Sequence, residues 1–99
     1  MNKEYIKGLD LVMYMSPECQ WCNKMVTLLI SEDLINYVTI VNINKTDFKF
    51  RPGQVIPLFV SPKLSTVSTG YTSIEQLIKN LKTGVTTTIE RGFTEMEID

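Results

Sequence analysis

Five apolar residues in a row, Leu11-Val12-Met13-Tyr14-Met15, are closed off by Asp10 on one side and Ser16-Pro17 on the other. A run of that length between a charge and a proline reads as a buried strand. The period then changes. From about Gln20 to Glu32 the apolar positions are Cys22, Met25, Val26, Leu29 and Ile30, the i, i+3, i+4, i+7 spacing of a helix with one face in the core. Tyr37 to Ile43 is rich in β-branched residues and predicts a second strand. Strand, helix and strand make a βαβ unit, which places the chain in the α/β class.

The remainder extends that unit. Asn44 to Gln54 is polar and ends in Arg51-Pro52-Gly53, so it reads as mostly loop with room for a short helical turn. Val55 to Val60, with Pro57 near its beginning, and Leu64 to Ser68 flank a Ser61-Pro62-Lys63 turn and read as a hairpin. Thr72-Ser73-Ile74-Glu75 has the form of a capping box, with Thr72 as the cap. The helix it opens carries a stripe of Ile74, Leu77, Ile78 and Leu81 and stops at Gly84. The expected order is therefore β-α-β-β-β-α over residues 1–84, followed by a tail, residues 85–99. Two readings of the tail stand side by side: Val85 to Ile89 as an extra edge strand, or a loose segment ending in the acidic Glu95-Met96-Glu97-Ile98-Asp99.

Composition removes several classes of function. At 99 residues the chain holds one core. Its net charge is -1 and it has no dense Lys/Arg cluster, so no nucleic-acid partner is expected. No apolar run near the start is long enough for a signal peptide or a membrane span, which predicts a cytoplasmic protein without membrane attachment, expected to be a monomer. There is no histidine, which excludes a Cys-His catalytic pair and a zinc site of two Cys and two His within the chain.

Both cysteines lie in Pro17-Glu18-Cys19-Gln20-Trp21-Cys22-Asn23-Lys24-Met25, three positions apart. Cys19 falls at the junction of strand and helix, Cys22 one turn further on the buried stripe, so the first sulfur is expected to be exposed and the second sheltered. A helix N-terminus favours a thiolate at Cys19; Glu18 beside it works against that charge and Lys24 in its favour. Cys19 is then the nucleophile and Cys22 the resolving thiol. The alternatives are half of a zinc site, which would need two copies of the chain, or two ordinary buried thiols. A lone pair of cysteines in a reducing compartment reads first as a redox dithiol working without a bound cofactor or metal.

CQWC at the start of the first helix and Val55-Ile56-Pro57 at the start of the third strand resemble the thioredoxin superfamily over about residues 11–82. The resemblance implies a thioredoxin fold, a four-stranded mixed sheet flanked by helices, with a cis Ile56-Pro57 bond against the cysteine pair and Pro57 shaping a substrate groove. Within that superfamily the chain is more similar to glutaredoxins. Trp21 stands where they commonly carry the Tyr of CPYC, Glu18 replaces the Trp that precedes CGPC in thioredoxins, and Tyr14 matches the end of the glutaredoxin strand. What this implies is a thiol-disulfide oxidoreductase acting on protein or glutathione mixed disulfides, with disulfide-bearing proteins, glutathione or a reductase as partners. Glutathione would pair with the backbone of Ile56 and place its γ-glutamyl carboxylate in the turn Gly70-Tyr71-Thr72-Ser73, at the exposed N–H groups of a helix start. Arg51 or Gln54 would meet its other carboxylate. Trp21 is either a platform for substrate or packing, and Tyr71 either a rim contact or a loop aromatic. The chain departs from the glutaredoxin pattern at Ser16, where a Lys is usual, at Thr69, where the first of two Gly is usual, at Ser73 in place of an acid, and at Gln20 in place of proline. Two other readings remain beside the enzyme: a protein-binding module of the same fold without redox turnover, its tail an interaction arm, and a dimer bridging an iron-sulfur cluster through Cys19 and two glutathiones.

Overall fold

A computed structural model describes residues 2–84 and 91–94. β1 (Val12–Met15) is central in a four-stranded sheet. On one edge it pairs in parallel with β2 (Thr39–Asn42), Met13 opposite Ile40; on the other it pairs antiparallel with β3 (Leu58–Ser61), Met13 opposite Phe59. β4 (Thr66–Thr69) lies antiparallel to β3 and completes the order β2-β1-β3-β4. The chain is α/β, with a mixed sheet flanked by helices. β1 can be central because Leu11 and Met13 are both fully buried and no charged residue interrupts the run.

Among the described residues three α-helices flank the sheet. α1 (Asn2–Lys7) is a short helix that the sequence pattern did not indicate: over six residues it buries only Ile6, too little for a readable stripe. It packs against α3, with Lys82 of α3 over the ring of Tyr5 at 4.6 Å. α2 (Gln20–Ser31) crosses between the parallel strands and sends Cys22, Met25 and Leu29 into the core. It ends where Asp33 takes a left-handed φ of 58° and its N–H caps Ile30. α3 (Ile74–Thr83) buries Ile74, Leu77, Ile78 and Leu81 as the stripe predicted and stops at Gly84, φ 73°.

Its start differs from the expectation by one residue. The cap is Ser73, whose hydroxyl accepts the N–H of Gln76 at 3.1 Å, and not Thr72. Ser73 is exposed and extended, the state an N-cap requires, whereas Thr72 is buried beneath the turn. The other face of α3 is docked by polar groups: buried Asn80 donates to Ser68 Oγ at 3.1 Å and accepts from Gln76 at 2.8 Å, and Thr66 Oγ1 donates to the carbonyl of Leu81 at 2.7 Å.

The third strand is shorter than its apolar run. β3 begins at Leu58, after the cis Ile56-Pro57 bond. Pro57 has no N–H to give to a ladder, and the residues before it are held otherwise. Thr69 Oγ1 accepts the N–H of Val55 and donates to its C=O, each at 2.7 Å, while Gly70 N–H reaches the carbonyl of Pro57 at 2.8 Å. One side chain thus satisfies both main-chain groups of a buried residue. The strand expected over Val85 to Ile89 and the acidic end, residues 95–99, lie outside the described residues. The part of the tail that is described pairs elsewhere, through an isolated antiparallel bridge between Phe93 and Ile56.

Because Thr69 is 3% exposed, replacing it by valine leaves the N–H and C=O of Val55 buried without partners. We expect Thr69→Val to lower the unfolding free energy by about 2–4 kcal/mol in urea titrations, and Thr69→Ser, which keeps the hydroxyl, to lose much less.

Candidate active site

Cys19 is the N-cap of α2. Its backbone is extended (φ −91°, ψ 110°), and its sulfur accepts the N–H of Cys22 at 3.1 Å. The spacing of the two cysteines therefore has a local meaning. An N-cap side chain reaches the amide three residues on, so with cysteine at both positions the second residue donates its own N–H to the first sulfur.

The loop that delivers Cys19 is tied down on both sides. Cys19 N–H donates to the carbonyl of Ser16 at 3.0 Å, and Ser16 Oγ accepts from Glu18 N–H and from Asn44 Nδ2, each at 3.3 Å. Ser16 is 2% exposed and anchors the loop to the turn after β2. Asn23 Nδ2 adds a bond to the carbonyl of Pro17 at 3.1 Å. Neither Ser16 nor Asn44 stood out in the sequence as part of a site.

Both thiols are free, and both are buried: Cys19 is 1% exposed and Cys22 0%. For Cys22 this follows from the helical stripe. For Cys19 it corrects the expectation of an exposed sulfur. The polar neighbours Glu18 and Gln20 do point to solvent, but the sulfur turns inward and its S–H donates to the carbonyl of Ile56 at 3.6 Å. Burial, followed by a hydrogen bond to Cys19, pushes the Cys22 thiol well above its ordinary range; a hydrogen bond from the Ser16 backbone opposes this and is the weaker influence. Cys22 is thus held as a neutral thiol beneath Cys19.

The other expected site residues fall into two groups around this pair. The carbonyl of Ile56 meets the Cys19 sulfur, and the peptide bond that follows it, Ile56-Pro57, is cis. Trp21 and Tyr71 stack on each other, ring centroids 5.5 Å apart and tilted by 36°, and Lys24 Nζ lies 4.6 Å from the centre of the Trp21 ring. The contact the structure shows for Lys24 is thus with the indole face, and the side chain of Glu18 is exposed. A shallow cavity of about 420 Å³ lined by Lys24, Thr27, Leu28 and Tyr71 borders the stack on one side.

A second groove, about 350 Å³, runs along the start of α3 between Tyr71, Thr72, Ser73, Gln76 and Arg91. Among the described residues Thr72 Oγ1, at this groove's wall, is buried with no hydrogen-bond partner. Arg91 adds a cation that the sequence did not single out. Gly70, φ 93°, makes the turn into this groove. Arg51 and Gln54 bond to each other, Arg51 N–H to Gln54 Oε1 at 3.2 Å and Gln54 N–H to the carbonyl of Arg51 at 3.0 Å, closing their own turn. Nearby, Tyr14, Phe48 and Phe50 form a ring cluster, with centroids 5.2 Å and 5.1 Å apart.

The expected backbone partner for glutathione is already engaged. Ile56 N–H donates to the carbonyl of Phe93 at 2.8 Å, and Ile56 C=O accepts from Phe93 N–H at 2.9 Å. Among the described residues no group of three or more His, Cys, Asp and Glu side chains converges as a metal site would require, and no described helix is long and apolar enough to cross a membrane. Compared with known proteins, the chain matches no family model, no curated protein and no solved structure.

Two thiols one turn apart, one at a helix N-terminus and one neutral beneath it, can close a disulfide with little movement of the backbone. The raised Cys22 thiol also links stability to pH. Between the ordinary thiol value of about 8.5 and the higher folded value, the folded state keeps a proton that the unfolded state has lost, so stability falls as pH rises. We expect the unfolding free energy to drop above about pH 8.5 by up to about 1.4 kcal/mol per pH unit more in the native protein than in Cys22→Ser, measured by urea titration at a series of pH values.

Proposed function

We propose that the chain is a thiol-disulfide oxidoreductase of the thioredoxin fold, glutaredoxin-like, with Cys19 as nucleophile and Cys22 as resolving thiol. The observation that carries this reading is the sulfur of Cys19: it caps α2, accepts the amide of Cys22 and lies 3.6 Å from the carbonyl that precedes cis Pro57. The element order and the mixed sheet support the fold. A cysteine used only for packing needs neither the cap nor a second cysteine beneath it.

The chemistry is a two-step exchange. The Cys19 thiolate attacks one sulfur of a substrate disulfide, forming a mixed disulfide and releasing the other sulfur as a thiolate that takes up a proton. Cys22 then loses its proton and attacks the sulfur of Cys19, closing a Cys19-Cys22 disulfide and releasing the second substrate thiol. One dithiol has become a disulfide and one substrate disulfide two thiols, with two electrons transferred. The neutral state of Cys22 favours this order, since a thiol that stays protonated does not compete for the first attack. Two equivalents of an external thiol, such as glutathione, or a reductase would return the pair to the dithiol. For glutathione, the groove at the start of α3 would offer a carboxylate the N–H groups of the helix start and the guanidinium of Arg91. The Trp21-Tyr71 stack provides an apolar wall beside the cysteines.

The burial of Cys19 favours a second reading, a protein-binding module of the same fold that has no turnover. Substitutions separate the two. We expect Cys19→Ser to abolish reduction of a small mixed disulfide such as that of glutathione with hydroxyethyl thiol, and Cys22→Ser to accumulate a covalent Cys19 adduct visible by mass spectrometry. Full turnover by Cys19→Ser would remove Cys19 as nucleophile, and partner capture that survives serine at both positions would favour the module.

A further inference from the structure

The backbone edge at Ile56, where an extended substrate would pair beside Cys19, is filled by the protein itself. Ile56 exchanges both of its main-chain hydrogen bonds with Phe93, and Tyr71 N–H donates to the carbonyl of Arg91 at 2.7 Å. Phe93 packs against the core. Gly92, between them, passes so close to the opposing chain that a Cβ there would lie 2.7 Å from Val55 Cβ and 2.8 Å from the carbonyl of Ile56. Any side chain at that position would collide with Val55 and the Ile56 carbonyl, so glycine marks a close approach of the segment's backbone to the opposing chain. The carbonyl of Ile56 that receives Phe93 N–H also receives the S–H of Cys19.

Accepting the proposed chemistry, we infer that residues 91–94 are an intramolecular competitor of the substrate: the segment occupies the Ile56 edge in the antiparallel direction and keeps Cys19 closed until it leaves. The edge holds one strand at a time, since Ile56 has one N–H and uses its C=O in the same pair. An incoming extended peptide that carries a disulfide therefore replaces Phe93 at Ile56 by β-augmentation, trading one pair of main-chain hydrogen bonds for another. With the segment in place Cys19 is 1% exposed and its S–H shares the carbonyl of Ile56 with Phe93. The exchange lowers the apparent affinity for substrate by the fraction of molecules in which the segment has left.

The test reads access to the sulfur, not turnover. Rates of Cys19 alkylation by iodoacetamide, assigned by peptide mass spectrometry, are compared in the native protein, in Gly92→Ala, which drives a Cβ into Val55 and Ile56, and in Phe93→Pro, which removes the N–H given to Ile56. Both variants are expected to react at least tenfold faster at Cys19 while Cys22 stays protected, as it is in a folded core. Rates within twofold of the native protein in a folded variant overturn the proposal. Should the variants unfold, which exposes Cys22 equally, hydrogen exchange on the native protein decides. The amides of Ile56, Phe93 and Tyr71 must open together, at the rate that limits Cys19 alkylation and well before the amides of β1. Exchange of Ile56 only with global unfolding overturns the proposal as well. Accelerated alkylation with no disulfide reduction in any variant would leave the competitor in place and remove the oxidoreductase.

Discussion

β1 is paired on both of its edges, and the candidate site exists because the two pairings run in opposite senses. The parallel bond to β2 requires a crossover, which is α2, and so the chain must leave the end of β1 through a tight loop and enter a helix. The antiparallel bond to β3, with Tyr14 opposite Leu58, sets the residues just before Leu58 alongside those just after Tyr14. Ile56 and Pro57 therefore face the loop that carries Cys19, although 37 positions separate Cys19 from Ile56. A shift of this register by one residue would turn either Met13 or Phe59 out of the core, and both are fully buried. The same packing that holds the sheet thus holds sulfur and carbonyl together.

Within that frame, the helix start assigns different roles to two chemically identical side chains. The cap position aims the Cys19 sulfur at the amide of Cys22, while the next turn carries Cys22 into the hydrophobic stripe. The Cys19 sulfur accepts the N–H of Cys22 and donates to the carbonyl of Ile56, whereas Cys22 lies in the apolar stripe, where burial disfavours the charged form. No histidine is needed to separate them. Under the proposed function, this difference in environment would separate the attacking thiol from the resolving one.

The parts of this architecture legible in the sequence are those written in local period. The change from the apolar run at Leu11 to the helical stripe at Cys22, the hairpin around Ser61-Pro62-Lys63, and the stripe of α3 ending at Gly84 all depend on neighbours within one or two turns. What was not legible depends on partners far along the chain. Thr69 looked like a departure from a glycine pair until it was seen holding both main-chain groups of Val55. Ser16 matters through Asn44. The cap of α3 moved from Thr72 to Ser73 because burial, which the capping pattern does not encode, took the threonine. Cys19 was expected to be open to solvent because its sequence neighbours are polar, but its sulfur faces Ile56, and Arg91 to Phe93 return from the tail to the same edge.

The central claim is that Cys19 and Cys22 form one redox couple. Equilibrating the protein in glutathione buffers of graded poise, and counting the thiols of each cysteine by labelling under denaturing conditions with the fluorescence of Trp21 as a second readout, tests it most directly. The account predicts a single two-electron transition in which both thiols disappear together into an internal disulfide, at a midpoint within the range of about −270 to −120 mV covered by dithiol oxidoreductases. Two thiols that persist at every poise, or a Cys19 that is only capped by glutathione while Cys22 stays free, would contradict it.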